Sequence, residues 1–172
     1  GEPSMNKEEK EGHEHPGLKE NVRARLDRSY QSSLLEKIRA NNFYLKQGRL
    51  VIYLAEEFGF CYGVERAVTY AYATRAKFPD RRIFLTDEII HNPRVNQELR
   101  DMGIQFLSGP FASGVKIDAI GEKDIVIMPA FGVPVEALNK FRERGCVIVD
   151  TTCGSVMIVW RQVEAYARDG FT

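Results

Sequence analysis

The feature that most constrains this chain is a repeated order of strand, short polar or glycine-bearing loop and amphipathic helix, which recurs four times between residues 50 and 172. Leu50–Ala55, Arg82–Thr86, Asp124–Met128 and Cys146–Val149 are rich in β-branched and aromatic side chains. Each leads through a loop into apolar residues at helical spacing: Val64, Ala67, Val68, Ala71 and Tyr72; Val95, Leu99 and Met102; Val135, Leu138 and Phe141; Val156, Val159, Trp160 and Val163. Such alternation predicts an α/β fold, a parallel sheet with flanking helices. The Leu50–Ala55 run is apolar on both alternating faces and is assigned to that sheet. Ile104–Leu107 resumes a strand after the second helix, and Ser108–Glu122 forms a longer connection.

Local punctuation supports these boundaries. Asn92 fits an N-cap and Pro93 the first helical position, while Gly103 and Gly145 fit helix ends. Upstream, Glu20 to about Asn41 carries one helical pattern with Val22, Leu26, Leu34, Leu35 and Ile38 on its apolar side. Arg23, Arg25 and Arg28 lie among its charges and read as a solvated face. Residues 1–18 are charged and proline-bearing with little to bury, which predicts a disordered tail. His13 and His15 within it lack companion ligands. The expected organisation is therefore a tail over 1–18, a helical extension over 19–48, a first α/β domain over 49–150, and the start of a second over 151–172.

Composition narrows the function classes. Lys plus Arg and Asp plus Glu both number 24, so no global charge draws the chain to nucleic acid or anionic lipid. No apolar run approaches the roughly 20 residues that span a bilayer. Three dispersed cysteines make a poor disulfide framework and suit a reducing compartment, here a cytoplasm.

In doubly wound sheets ligands bind beyond the carboxyl ends of the strands. Cys61, His91, Phe131 and Cys153 all occupy that kind of position, so residues remote in sequence can share one rim. Cys61 stands where a helix begins, between Gly59 and Gly63, and a helix start favours thiolate over thiol. Cys146 opens an apolar strand and reads as a core residue. Three chemistries suit two corner cysteines and a histidine: a zinc site, a redox thiol pair, or an iron–sulfur cluster. Spacing does not decide among them, and packing roles for all three residues stand beside them.

Four motifs go further. Gly-Phe-Cys-Tyr-Gly-Val-Glu-Arg-Ala at 59–67, Glu-Ile-Ile-His-Asn-Pro-Arg-Val-Asn at 88–96, Pro-Ala-Phe-Gly-Val at 129–133 and Val-Asp-Thr-Thr-Cys at 149–153 resemble, in order and spacing, the hydroxymethylbutenyl diphosphate reductase (LytB/IspH) family. The likeness runs from about Tyr30 onward and is greatest to the branch of plants, cyanobacteria and some other bacteria. It implies the first domain of a three-domain trefoil around a 4Fe-4S cluster. By the resemblance, Cys61 and Cys153 are metal ligands, Gly63 and Phe131 belong to the cluster pocket, and His91 contacts the substrate diphosphate. The implied reaction is reductive dehydroxylation of (E)-4-hydroxy-3-methylbut-2-enyl diphosphate to isopentenyl and dimethylallyl diphosphate, with a ferredoxin- or flavodoxin-type electron donor.

Two departures stand out. Many members of the family carry histidine where this chain has Phe131, although the plant-like branch matches it there. Proline commonly follows the second cysteine, where this chain has Gly154. In the family the third cluster cysteine, the acidic proton donor and the Ser/Asn diphosphate contacts lie beyond the position of Thr172. The chain is thus expected to be an N-terminal portion with little activity alone. The alternative is a non-catalytic metal- or phosphate-binding α/β domain.

Overall fold

The computed structural model describes residues 32–57 and 59–171. The tail, the arginine-bearing stretch and the apolar residues Val22 and Leu26 lie outside those bounds. The chain forms two compact units that divide after Phe58.

In the first unit, helix α1 (Ser33–Ala40) opens at Ser32, whose side chain accepts from the Leu34 N–H at 3.3 Å. A start signal therefore sits inside the span that the apolar spacing assigns to one helix. The second departure concerns Leu50–Ala55. Strands β1 (Tyr44–Gln47) and β2 (Leu50–Tyr53) pair antiparallel as a separate two-stranded sheet. The Leu50 strand is thus no member of the parallel sheet, and Leu50, Val51 and Tyr53 are exposed. The cause is the two-residue connection Gly48–Arg49. With φ of 58° at Gly48, the chain reverses in a tight hairpin turn that glycine adopts without strain.

The second unit contains the predicted parallel sheet. Its strands are β3 (Ile83–Leu85), β4 (Ile104–Phe106), β5 (Ile125–Met128) and β6 (Val147–Asp150), in the order β4-β3-β5-β6. All neighbouring pairs are parallel. Helices α2 (Tyr62–Lys77), α3 (Pro93–Asp101), α4 (Val135–Glu143) and α5 (Gly154–Arg168) follow the expected spacing. Residues 108–122 hold an isolated bridge from Ala112 to Phe106 and a short 3-10 turn, Ile117–Ala119.

Helix ends have local causes. The Asn92 side chain accepts from Arg94 N–H at 3.1 Å and Val95 N–H at 3.2 Å, and Pro93 fills the first helical position. α2 stops before Phe78, which precedes Pro79 and is held out of the helical region (φ −128°, ψ 68°).

Strand alternation builds the core. Phe84 and Val126 pack with Phe141 of α4, Ile120 and Cys146, while Ile83, Leu85, Ile125 and Ile127 point to the opposite face and are equally inaccessible. Burying each such side chain contributes about 1.5–3 kcal/mol. Val135, read as part of the buried side of α4, is instead exposed because it sits at the helix start beyond the sheet. None of the apolar residues of α5 is buried within the described residues.

At the amino ends of β3 and β5 the polar groups satisfy one another. Arg82 binds Asp124 through Nε at 2.8 Å and Nη2 at 2.6 Å, and Arg81 donates to the carbonyls of Glu122, Lys123 and Asp124. Burial opposes ionisation of Asp124, but the Arg82 hydrogen bonds, the Gly121 N–H and the nearby arginine charges outweigh it and hold the carboxyl below its ordinary range.

Candidate functional site at the carboxyl rim of the sheet

From β3 the chain moves outward to β4, whereas from β5 it moves the other way to β6. The carboxyl ends of these adjacent strands therefore open a crevice between diverging connections. His91 follows β3, Phe131 follows β5 and Cys153 follows β6, so topology alone brings three predicted residues to one rim.

The Cys153 corner is tied to the sheet. The Asp150 side chain accepts from Thr152 N–H at 2.8 Å, the buried Thr151 hydroxyl donates to the Met128 carbonyl, and Cys153 N–H donates to Ala130 O at 2.8 Å. β6 thus leaves the sheet pinned to the end of β5. Cys153 is the N-cap of α5 in extended backbone (φ −65°, ψ 139°) and makes no side-chain capping bond. Its thiol pKa is nevertheless drawn below the ordinary value. The backbone N–H of Ser155 contributes most, against the opposing cost of burial, and Val156 N–H, the Ser155 hydroxyl and the Arg66 charge add to it. This is the thiolate-favouring field of a helix N-terminus.

Cys61 occupies the matching place on α2, as an exposed N-cap with φ −67° and ψ 160°. What joins the two corners is Gly63. A Cβ built there would lie 2.9 Å from Cys153 Cβ and closer still to its Sγ. Only a residue without a side chain lets the first turn of α2 approach the second cysteine so closely. One turn along, Arg66 reaches over from α2 to the Thr152 carbonyl at 3.4 Å, with its guanidinium 5.2 Å from the Tyr70 ring centroid. Two soft donors at a shared rim suit iron or zinc. Among the described residues no third His, Cys, Asp or Glu joins them to complete a metal-binding group. Cys146 is no substitute. It lies at the other end of β6, buried, with its thiol donating to Phe141 O at 3.3 Å and its pKa pushed up by burial.

His91 and Phe131 meet directly. Their rings stack with centroids 5.2 Å apart and planes 10° from parallel. The histidine side chain is exposed, and its Nδ1 lies 3.2 Å from Glu88 Oε2. Glu88 is held in turn by Asn96, whose Nδ2 donates to Glu88 Oε1 at 2.7 Å and to Ile90 O at 2.9 Å while its Oδ1 accepts from Ile89 N–H at 3.2 Å. The Asn92 side chain caps α3, and only its backbone meets this set, its N–H donating to Ile90 O at 2.8 Å.

Sequence reasoning gave no role to Arg66, Glu88, Asn96 or Thr151. One signal was present for Asn96: a polar side chain beside Val95 and Leu99 on the apolar side of α3. Gly154 meets no neighbour within 4 Å and lies at the first helical position, so the departure from proline there leaves the corner intact.

The protein-family model described as LytB protein matches residues 52–172. A 4-hydroxy-3-methylbut-2-enyl diphosphate reductase of Thermosynechococcus vestitus is 50% identical over 157 residues, which cover 91% of this chain and 39% of that protein. The enzyme of the same name from Synechococcus sp. (strain WH7803) is 49% identical with the same coverage. Both are cyanobacterial, as the resemblance to that branch implied. A solved structure of (E)-4-hydroxy-3-methyl-but-2-enyl diphosphate reductase, the terminal enzyme of the non-mevalonate pathway, superposes with a TM-score of 0.53 at 33% identity, covering 67% of this chain and 38% of its own. A reductase structure from Plasmodium falciparum shares the fold, with a TM-score of 0.57 at 24% identity over 66% of this chain and 33% of its own. The chain spans 39% of the length of these two curated relatives.

Proposed function

The chain belongs to the LytB protein family, and from that premise we propose that it forms the amino-terminal part of a 4-hydroxy-3-methylbut-2-enyl diphosphate reductase. In this reading Cys61 and Cys153 supply two thiolate ligands of a 4Fe-4S cluster. Gly63 and Phe131 line its pocket, and His91 contacts the diphosphate of the substrate. The second α/β domain begins near Thr151.

The observation that carries the reading is the approach of Gly63 to Cys153, which brings the first turn after Cys61 against the second cysteine. The field at the start of α5 supports a ligand role, since the thiolate is the form that binds metal. His91 is an exposed imidazole at the same rim, held flat against Phe131. It offers a nitrogen to a phosphate oxygen without burying an unpaired charge.

A cluster would also need a third thiolate, which the described residues do not bring to this rim. When bound, the cluster would supply the two electrons that, with two protons, release the allylic hydroxyl as water and leave isopentenyl or dimethylallyl diphosphate. A ferredoxin- or flavodoxin-type protein would deliver those electrons in a bacterial cytoplasm. What the chain's own residues contribute is a fixed thiolate pair, an anion contact and an aromatic wall.

Anaerobic reconstitution with iron and sulfide, with an external thiol supplied in place of the third ligand, tests the proposal. Cluster absorbance that Cys61→Ser and Cys153→Ser each abolish, and Cys146→Ser leaves in place, is the expected result. Stoichiometric zinc with no bound iron would favour a non-catalytic metal-binding domain instead.

A further inference from the structure

The Asn96–Glu88–His91 chain is more ordered than an exposed histidine on a loop requires. Asn96 is fully buried, and every atom of its amide is committed. Because the Ile89 N–H can only donate, Asn96 must present Oδ1 to it, which turns Nδ2 toward two acceptors, Glu88 Oε1 and Ile90 O. Residues 88–90 are thereby clamped from inside just before His91. The Glu88 side chain, only 14% exposed, is left with its second oxygen against His91 Nδ1 at 3.2 Å. A carboxylate accepts and does not donate. Phe131 prevents the imidazole from tilting away, since the two rings lie nearly parallel.

We propose that Glu88, fixed by Asn96, is a positioning residue that holds the His91 proton on Nδ1 and leaves Nε2 as the acceptor presented to a proton-bearing phosphate oxygen at the rim. The purpose of this arrangement rests on the reading of His91 as a diphosphate contact, but the geometry it asserts does not. A neutral histidine has two tautomers, and the group facing one nitrogen selects between them. Glu88 selects the tautomer, and Asn96 selects the Glu88 rotamer. An anion arriving at the rim thus meets one defined ring nitrogen, and no reorientation is needed on binding.

Long-range 15N–1H correlation spectra of the imidazole rings, recorded on the chain at a pH where they are neutral, read this directly. His91 is the one histidine outside the first eighteen residues, and its signals are assigned by their loss in His91→Gln. The wild-type ring is expected as the Nδ1–H form. Glu88→Gln gives the sharper result. Asn96 Nδ2 still demands an acceptor, so the glutamine oxygen turns toward it and the glutamine NH2 faces His91 Nδ1, which reverses the tautomer to Nε2–H. A merely structural Glu88 predicts no change, because glutamine keeps its shape.

A wild-type ring in the Nε2–H form overturns the proposal without any variant. So does an unaltered tautomer in a Glu88→Gln protein with a native amide spectrum. A separate titration with inorganic pyrophosphate isolates the underlying reading. Glu88→Ala should weaken binding roughly tenfold, of the order of one charge-assisted hydrogen bond. Pyrophosphate binding unchanged in His91→Gln would remove the diphosphate role while leaving the tautomer result to stand or fall by itself.

Discussion

The two edges of the parallel sheet both carry polar and ionisable side chains and use them in opposite ways. At the amino edge, Arg82 pairs with Asp124 and Arg81 donates to the loop carbonyls, so their hydrogen-bonding groups are matched within the fold. The carboxyl edge holds Cys61 and His91 exposed and Cys153 half-buried, the last with its thiolate favoured by helix N–H groups. A surface depression opens at the amino edge, lined by Arg81, Arg82, Asp118 and Asp124. The proposed chemistry nevertheless uses the other rim, where donors are left over after folding. Polar groups that satisfy each other hold a structure, whereas those that remain unmatched are available to a ligand.

Mutations should separate the two edges. The largest stability effect is expected from Asp124→Asn, which removes a buried acceptor of Arg82 and Gly121 and costs about 2–3 kcal/mol in chemical denaturation. Its sign with pH follows from the lowered folded-state pKa of Asp124. The contribution is complete above the ordinary carboxylate value and disappears as pH falls through the depressed folded value, so wild type and variant should converge in acid. The rim thiols should react in this variant as in wild type.

Gly63→Ala comes next, at about 1–2 kcal/mol, because a methyl group there overlaps Cys153. Unlike the amino-edge change, it should also alter the rate of Cys153 alkylation. Arg66→Met is expected to cost under about 1 kcal/mol, since its bond to Thr152 O is long and partly exposed. It should move the pH profile of Cys153 alkylation slightly upward, because the guanidinium is the least of the influences that lower the thiol pKa. Smallest is Gly154→Pro. The position is N1, nothing crowds it, and Cys153 already has the backbone that precedes proline, so unfolding should shift by no more than about 0.5 kcal/mol, toward greater stability. A large loss in this last variant would mean that the corner is not the regular helix start described.

Much of the carboxyl rim was legible because local rules govern it. Strand runs such as Ile125–Met128 and the Asn92–Pro93 cap carry their own signals, and strand-to-helix corners fix which residues reach the rim. The hairpin was not legible in the same way. Leu50–Tyr53 has the composition of a sheet strand, and Lys46 and Gln47 disguise its partner as a connection; the Gly48–Arg49 turn decides the pairing. Ser32 likewise divides a span whose apolar spacing continues across it. Glu88 and Asn96 lie eight residues apart and meet only through the fold, as do Arg66 and Thr152, so no periodicity announces them.

The claim beneath the functional reading is that Cys61 and Cys153 form one thiolate pair. Cadmium titration of the chain, followed by thiolate-to-metal charge-transfer absorbance, tests it most directly. The account predicts a single ion bound with a band that either Cys61→Ser or Cys153→Ser removes completely, while Cys146→Ser leaves it unchanged. Bands that each variant merely halves, or a band that depends on Cys146, would contradict it.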